Sequence, residues 1–75
     1  MSKAISIQDI LLNEVKSKKI NVTVILMNGH QIKGTVTGFD SFVILISPEN
    51  SRNQQMIYKH TISTIIPTQK LELKY

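Results

Sequence analysis

The densest chemistry in the sequence is the tripeptide Tyr58-Lys59-His60, which sets a cation beside a two-nitrogen ring. Such a pair can donate to the oxygens of a uracil base, a ribose or a phosphate. Taken by residue type alone, a lone histidine such as His60 is more often a satisfied structural group than a ligand, and Tyr58 is expected to be structural. Phe42 is one of only four aromatic residues, two Phe and two Tyr with no Trp. A presented ring can stack an unpaired base, at about 1–3 kcal/mol per base. The apolar run Phe42-Val43-Ile44-Leu45-Ile46, however, reads Phe42 as core. Lys16, Lys18 and Lys19 form a basic run that is either a solvated helix face or an anion contact.

Other chemistries lack their residues. The sequence has no cysteine, no phosphate-cradling loop of the GxxxxGK[ST] kind and no GxSxG elbow, and its five acids are scattered. Asp40 falls in a turn, where a carboxylate usually bonds local backbone. No His/Asp/Glu cluster has the spacing of metal ligands, so neither a metal nor a cofactor is expected. Lys and Arg number 9 against 5 Asp and Glu, a net charge of +4 that suits a polyanionic partner. An SH3-like peptide module would need an aromatic-lined groove, which four aromatic residues without tryptophan supply poorly. A small OB-fold barrel that binds single-stranded DNA is the nearer rival.

These side chains must be held by a small scaffold. A chain of 75 residues buries a modest core, and without cysteine the remaining source of stability is oligomerisation. The first residues lack an apolar signal region and no run is long enough for a membrane span. A soluble, cytoplasmic protein is therefore expected.

Ser6 and Asp9 fit a capping box, with Ile5 and Ile10 as a hydrophobic staple, and Ile7, Leu11 and Val15 recur on one face. One short amphipathic helix over 6–17 is predicted. From Ile20 the period becomes twofold, with Val22, Val24 and Leu26 on one face. Asn28-Gly29 then predicts a type I′ hairpin turn, with positive φ at both residues. A second strand is predicted from His30 to Phe39, with Gly34 and Gly38 suited to bending or close backbone approach. The run from Phe42 to Ile46 reads as a third strand, apolar on both faces. A polar loop spans Pro48 to Gln54, followed by strands from Gln55 to Lys59 and from Ile62 to Ile66, closed by Pro67. Thr68 to Tyr75 alternates weakly, as an added strand or a packed tail. Five strands in so short a chain leave edges open, and heterologous edge pairing between copies can close a ring.

The ordered motifs resemble the Hfq branch of the Sm-like family over about Ile7 to Pro67. Ile7-Gln8-Asp9 with Leu12-Asn13 is similar to that family's helix opening. Met27-Asn28-Gly29, Lys33-Gly34 and Phe39-Asp40 resemble its first Sm motif, and Tyr58-Lys59-His60 with Ile62-Ser63-Thr64 the Hfq-type second motif. The resemblance implies a mainly β fold: an N-terminal α-helix, then a strongly bent five-stranded antiparallel sheet, the Sm-like small barrel, assembling into a homohexameric ring. Its parts would be an arm at 1–5, the helix at 6–17, the barrel at 20–67 and a tail at 68–75, in one domain.

The resemblance also implies partners and sites. Expected partners are single-stranded RNA, including small regulatory RNAs and mRNAs whose pairing the protein promotes, and further copies of the chain. On the pore face, Phe42 would stack uracil between neighbouring subunits, in a pocket with Gln8, Ser41, Lys59 and His60. Ser41 is smaller than the long polar residue often found there. The distal face, which takes adenine-rich RNA in the family, corresponds to Ile25, Gly29, His30, Ile32, Lys33, Gln55 and Thr64. Ile25 replaces an aromatic or long polar group and Lys33 a glutamine found in some members, so altered or weakened specificity is expected. Lys16, Lys18 and Lys19 would form the rim, with charge but without arginine's planar fork, so weaker annealing is expected. The loop is longer than in many relatives and the extended C-terminal tail of some is absent, so tail-driven RNA release is not expected.

Overall fold

The computed structural model describes residues 7–71. Helix α1 spans Ile7–Ser17 and buries Leu12 and Val15 completely. Each such side chain contributes about 1.5–3 kcal/mol by leaving water. This shifts the predicted apolar face: Leu12, not Ile7, anchors the helix, and Ile7 is largely exposed. Ser6 and Ile5 lie outside the described residues, as do 72–75 of the tail.

The helix ends in a Schellman motif. Ile20 donates to the carbonyl of Val15 at 2.9 Å and Lys19 to that of Lys16 at 3.3 Å. Lys19 sits in the left-handed region at φ 54°, the position normally given to glycine. The buried Ile20 and Val15 share the core, which holds the reversal in place.

Five antiparallel strands follow: β1 Asn21–Leu26, β2 Gln31–Phe39, β3 Val43–Pro48, β4 Gln55–Tyr58 and β5 Ile62–Pro67. Their order in the sheet is β4-β3-β2-β1-β5. The twofold alternation sends Val22, Val24, Val36, Ile44, Ile46 and Ile57 into one core beneath the helix. Thr23, Ile25, Lys33 and Thr64 occupy the other face, with Thr23 opposite Lys33 and Ile25 opposite Thr64.

Two devices bend the sheet. The β2–β3 register shifts between Val36 and Gly38, a bulge that re-aims the strand. At Gly34 a Cβ would collide with the Ser47 carbonyl oxygen and lie 2.8 Å from Pro48 Cα, so the two backbones approach as only glycine allows. At Gly38 a Cβ would meet only Leu45 Cδ1, at 3.6 Å, so the bend there comes from the bulge and not from crowding.

Several predicted boundaries move. The Asn28-Gly29 turn is not type I′, because only Gly29 has positive φ, at 89°. Gly29 donates to Leu26 at 2.9 Å and Leu26 to His30 at 2.8 Å, closing a three-residue hairpin loop. The Asn28 carboxamide explains the preference, accepting from the His30 N–H at 2.9 Å. Phe42 is neither core nor strand; β3 starts at Val43 and Phe42 stands 74% exposed. The fourth strand stops at Tyr58, because Lys59–Thr61 form a 3-10 turn. β5 runs on through Pro67, which pairs with Val22. Leu71 packs against the core, so the tail to that point is packed, not an added strand.

Candidate nucleic-acid interface

The first cluster lies where the β2–β3 turn meets the 3-10 turn. Asp40 Oδ1 accepts from the backbone N–H groups of Phe42 (2.7 Å) and Val43 (2.9 Å). These two bonds, helped by the charge of Lys59, hold its carboxyl below the usual carboxylate range. Asp40 thus fixes the turn that carries Ser41 and Phe42 into solvent. The Lys59 N–H donates to the Phe42 carbonyl at 2.8 Å, locking that turn to the 3-10 turn. Tyr58 and His60 rings tilt together at 5.8 Å between centroids. Tyr58, expected to be structural, exposes about half of its surface.

Lys59 is not a free surface cation. Its side chain is only 12% exposed, and Nζ pairs with Asp9 Oδ1 at 2.8 Å. The same Nζ lies 5.5 Å from the Phe39 ring centroid, and Lys16 Nζ 5.9 Å from it. Asp9 and Phe39 were not among the sequence-predicted site residues. The spacing gave only a helix-capping role for Asp9, since its partner is fifty positions away. Gln8 stands elsewhere, in an apolar recess of about 310 Å³ shared with Ile7, Leu11 and β5 residues from Ile62 to Ile65. His60 borders a separate recess of about 400 Å³ with Leu26, Met27 and Asn28.

The distal residues also fall into two groups within one chain. Ile25 and Thr64 are paired on β1 and β5. His30, Ile32, Lys33 and Gln55 line an open cleft of about 470 Å³, walled by the loop after Pro48. Gly29 forms the hairpin tip and Ile32 packs against the core edge. Of the basic run, Lys18 pairs with Glu14 at 2.6 Å, while Lys16 and Lys19 border a recess with Thr35 and Thr37.

A short helix capping a bent five-stranded antiparallel sheet, with one exposed aromatic turn braced beside a Lys-His pair, defines a small barrel of the Sm-like class. The family model described as Hfq protein matches residues 7–72, and the chain belongs to the Hfq family. It is 55% identical over 64 residues to an "RNA-binding protein Hfq" of Caldanaerobacter subterraneus subsp. tengcongensis, covering 85% of this chain and 73% of that protein. A protein of the same description from Syntrophomonas wolfei is 50% identical over 74 residues, covering 97% and 88%. A crystal structure described as the pleiotropic translational regulator Hfq superimposes with a TM-score of 0.76 at 38% identity, over 81% of this chain and 98% of that one.

Proposed function

We propose that this chain is a non-enzymatic RNA-binding chaperone, whose pore face takes uridine-rich single strands and whose distal face takes adenine-rich ones. In this reading it promotes pairing of small regulatory RNAs with mRNAs in the cytoplasm. The observation that carries it is Phe42: a large ring 74% exposed, on a turn braced by Asp40 and Lys59, without an aromatic partner among the described residues. An apolar ring presented to water on a braced turn is set up to stack a base.

The site is completed by a second copy. Strands β4 and β5 are the outer strands of the sheet, and Met56 and Tyr58 on one, with Ile66 on the other, leave about half their surface exposed. Pairing β4 of one copy with β5 of the next covers these side chains and propagates heterologously into a closed ring, here taken as a hexamer. The same pairing carries Gln55 on β4 towards Thr64 on the neighbour's β5, uniting the two distal groups, and brings Gln8 on the β5 flank towards the neighbour's Phe42 turn. The lysine rim adds charge for annealing.

Native mass spectrometry with and without oligo-U reads ring size and RNA stoichiometry together. The expected result is one closed oligomer that retains oligo-U and loses it on Phe42→Ala with His60→Ala. Stable monomers, or unchanged uridine affinity in that variant, overturn the reading. Tighter binding of oligo-dT than of oligo-U would favour a single-stranded DNA binder.

A further inference from the structure

The distal cleft has a wall that the family resemblance does not assign. Glu49, just after β3, donates its backbone N–H to the Lys33 carbonyl at 3.0 Å, extending the β2–β3 ladder beyond the Gly34–Pro48 pair. Its carboxylate is steered as well, Oε2 accepting from Asn21 Nδ2 at 3.1 Å. Asn21 is itself anchored, because its carbonyl accepts from Thr68 at 3.0 Å. The tight approach at Gly34 allows no slack between these strands. Glu49 is exposed and lines the 470 Å³ cleft, and its second carboxylate oxygen, Oε1, accepts no hydrogen bond among the described residues. Around the same cleft, the side chains of His30, Lys33 and Gln55 make no hydrogen bond or ion pair among the described residues.

We propose that Glu49 is a specificity-determining residue of this cleft, selecting bases that carry an exocyclic amine beside a ring nitrogen, adenine above all, against bases with a carbonyl oxygen there. An ionised carboxylate only accepts hydrogen bonds. It accepts from the N6 amine of adenine, while Gln55 can donate to the neighbouring ring nitrogen. Uracil and hypoxanthine set a carbonyl oxygen where the amine would be, so two acceptors face each other and one stays unsatisfied. Lys33 offsets the negative charge of Glu49 and keeps a cation for the phosphate. The proposal rests on the distal-face reading above and names one of its determinants.

The test compares an adenosine tract with the same tract carrying inosine, which changes the amine to an oxygen, by fluorescence anisotropy on the assembled protein. Wild type is expected to prefer adenosine by roughly tenfold, the size of one charge-assisted hydrogen bond. Glu49→Gln, isosteric and able to donate as well as accept, should bring the ratio close to one, and Asn21→Ala should narrow it. Lys33→Ala should weaken both tracts and leave the ratio alone. If the tracts bind with affinities that Lys33→Ala and Gln55→Ala do not alter, the distal reading itself fails. If those variants weaken binding while wild type and Glu49→Gln show the same adenosine-to-inosine ratio, only the role of Glu49 is overturned.

Discussion

Lys59 and Lys33 carry the same charge in two regions of the molecule, and the fold treats them differently. Lys59 is nearly enclosed, paired with Asp9 and packed over Phe39, and its backbone braces the turn that presents Phe42. Lys33 stands exposed on the outer face of β2, with no side-chain partner among the described residues. The Phe42–Lys59 cluster is pre-organised within a single chain: its turns are tied by Asp40 and Lys59 before any ligand arrives. The distal cleft has a rigid backbone but free side-chain heads. A pre-organised site loses less conformational entropy on binding, whereas a cleft of free polar heads gains its selectivity from hydrogen bonds made with the ligand.

The largest expected effect breaks both regions together. Gly34→Ala drives a methyl into the Ser47 carbonyl and should destabilise the protein by about 3 kcal/mol, with loss of oligo-U and oligo-A binding alike, measured by urea unfolding and anisotropy. Phe42→Ala separates the regions: oligo-U binding should weaken by about 1–3 kcal/mol while oligo-A binding stays within twofold. Equal losses on both tracts would show that the two sites are not distinct. Lys19→Gly relieves a left-handed lysine at the helix end and should stabilise the protein by about 1 kcal/mol without altering either site, as read from the unfolding midpoint.

Salt dependence tests the two lysines directly. Lys33→Gln should lower the slope of log K against log salt by about 0.7, the value for one phosphate contact on a single strand. Lys59→Gln should leave that slope almost unchanged, because its charge is already neutralised by Asp9. The smallest effect concerns Asp40. Its folded pKa lies below the unfolded one, so its contribution is complete above the unfolded value of about 4 and fades as pH falls further. Proton NMR of the Phe42 ring should show the turn loosening in that acid range, and Asp40→Asn should remove the pH dependence.

The order of elements was legible in the sequence because it rests on local patterns: the helical and twofold periods, the Asn28-Gly29 loop and the glycines of β2. The family motifs marked Phe42, Lys59 and His60 as candidates, and the structure ties the turn of Phe42 to that of Lys59. Where the sequence misled, the deciding interaction was not local. Apolar neighbours made Phe42 resemble core, yet the Asp40 cap ends β2 and turns that ring outward. Asp9 resembled only a helix cap until folding carried it to Lys59. Glu49 had no mark of its own, being one polar residue in a polar loop.

Residue order by itself determined the succession of helix and strands and the apolar face of β1, because these follow from contacts a few positions apart, whereas packing chose the buried face of the helix. Tertiary structure alone decided which lysine is enclosed, which aromatic is presented and which carboxylate borders the distal cleft. Those outcomes depend on strands bent past one another at Gly34 and at the β2 bulge, bringing side chains together that are twenty to fifty positions apart in the chain.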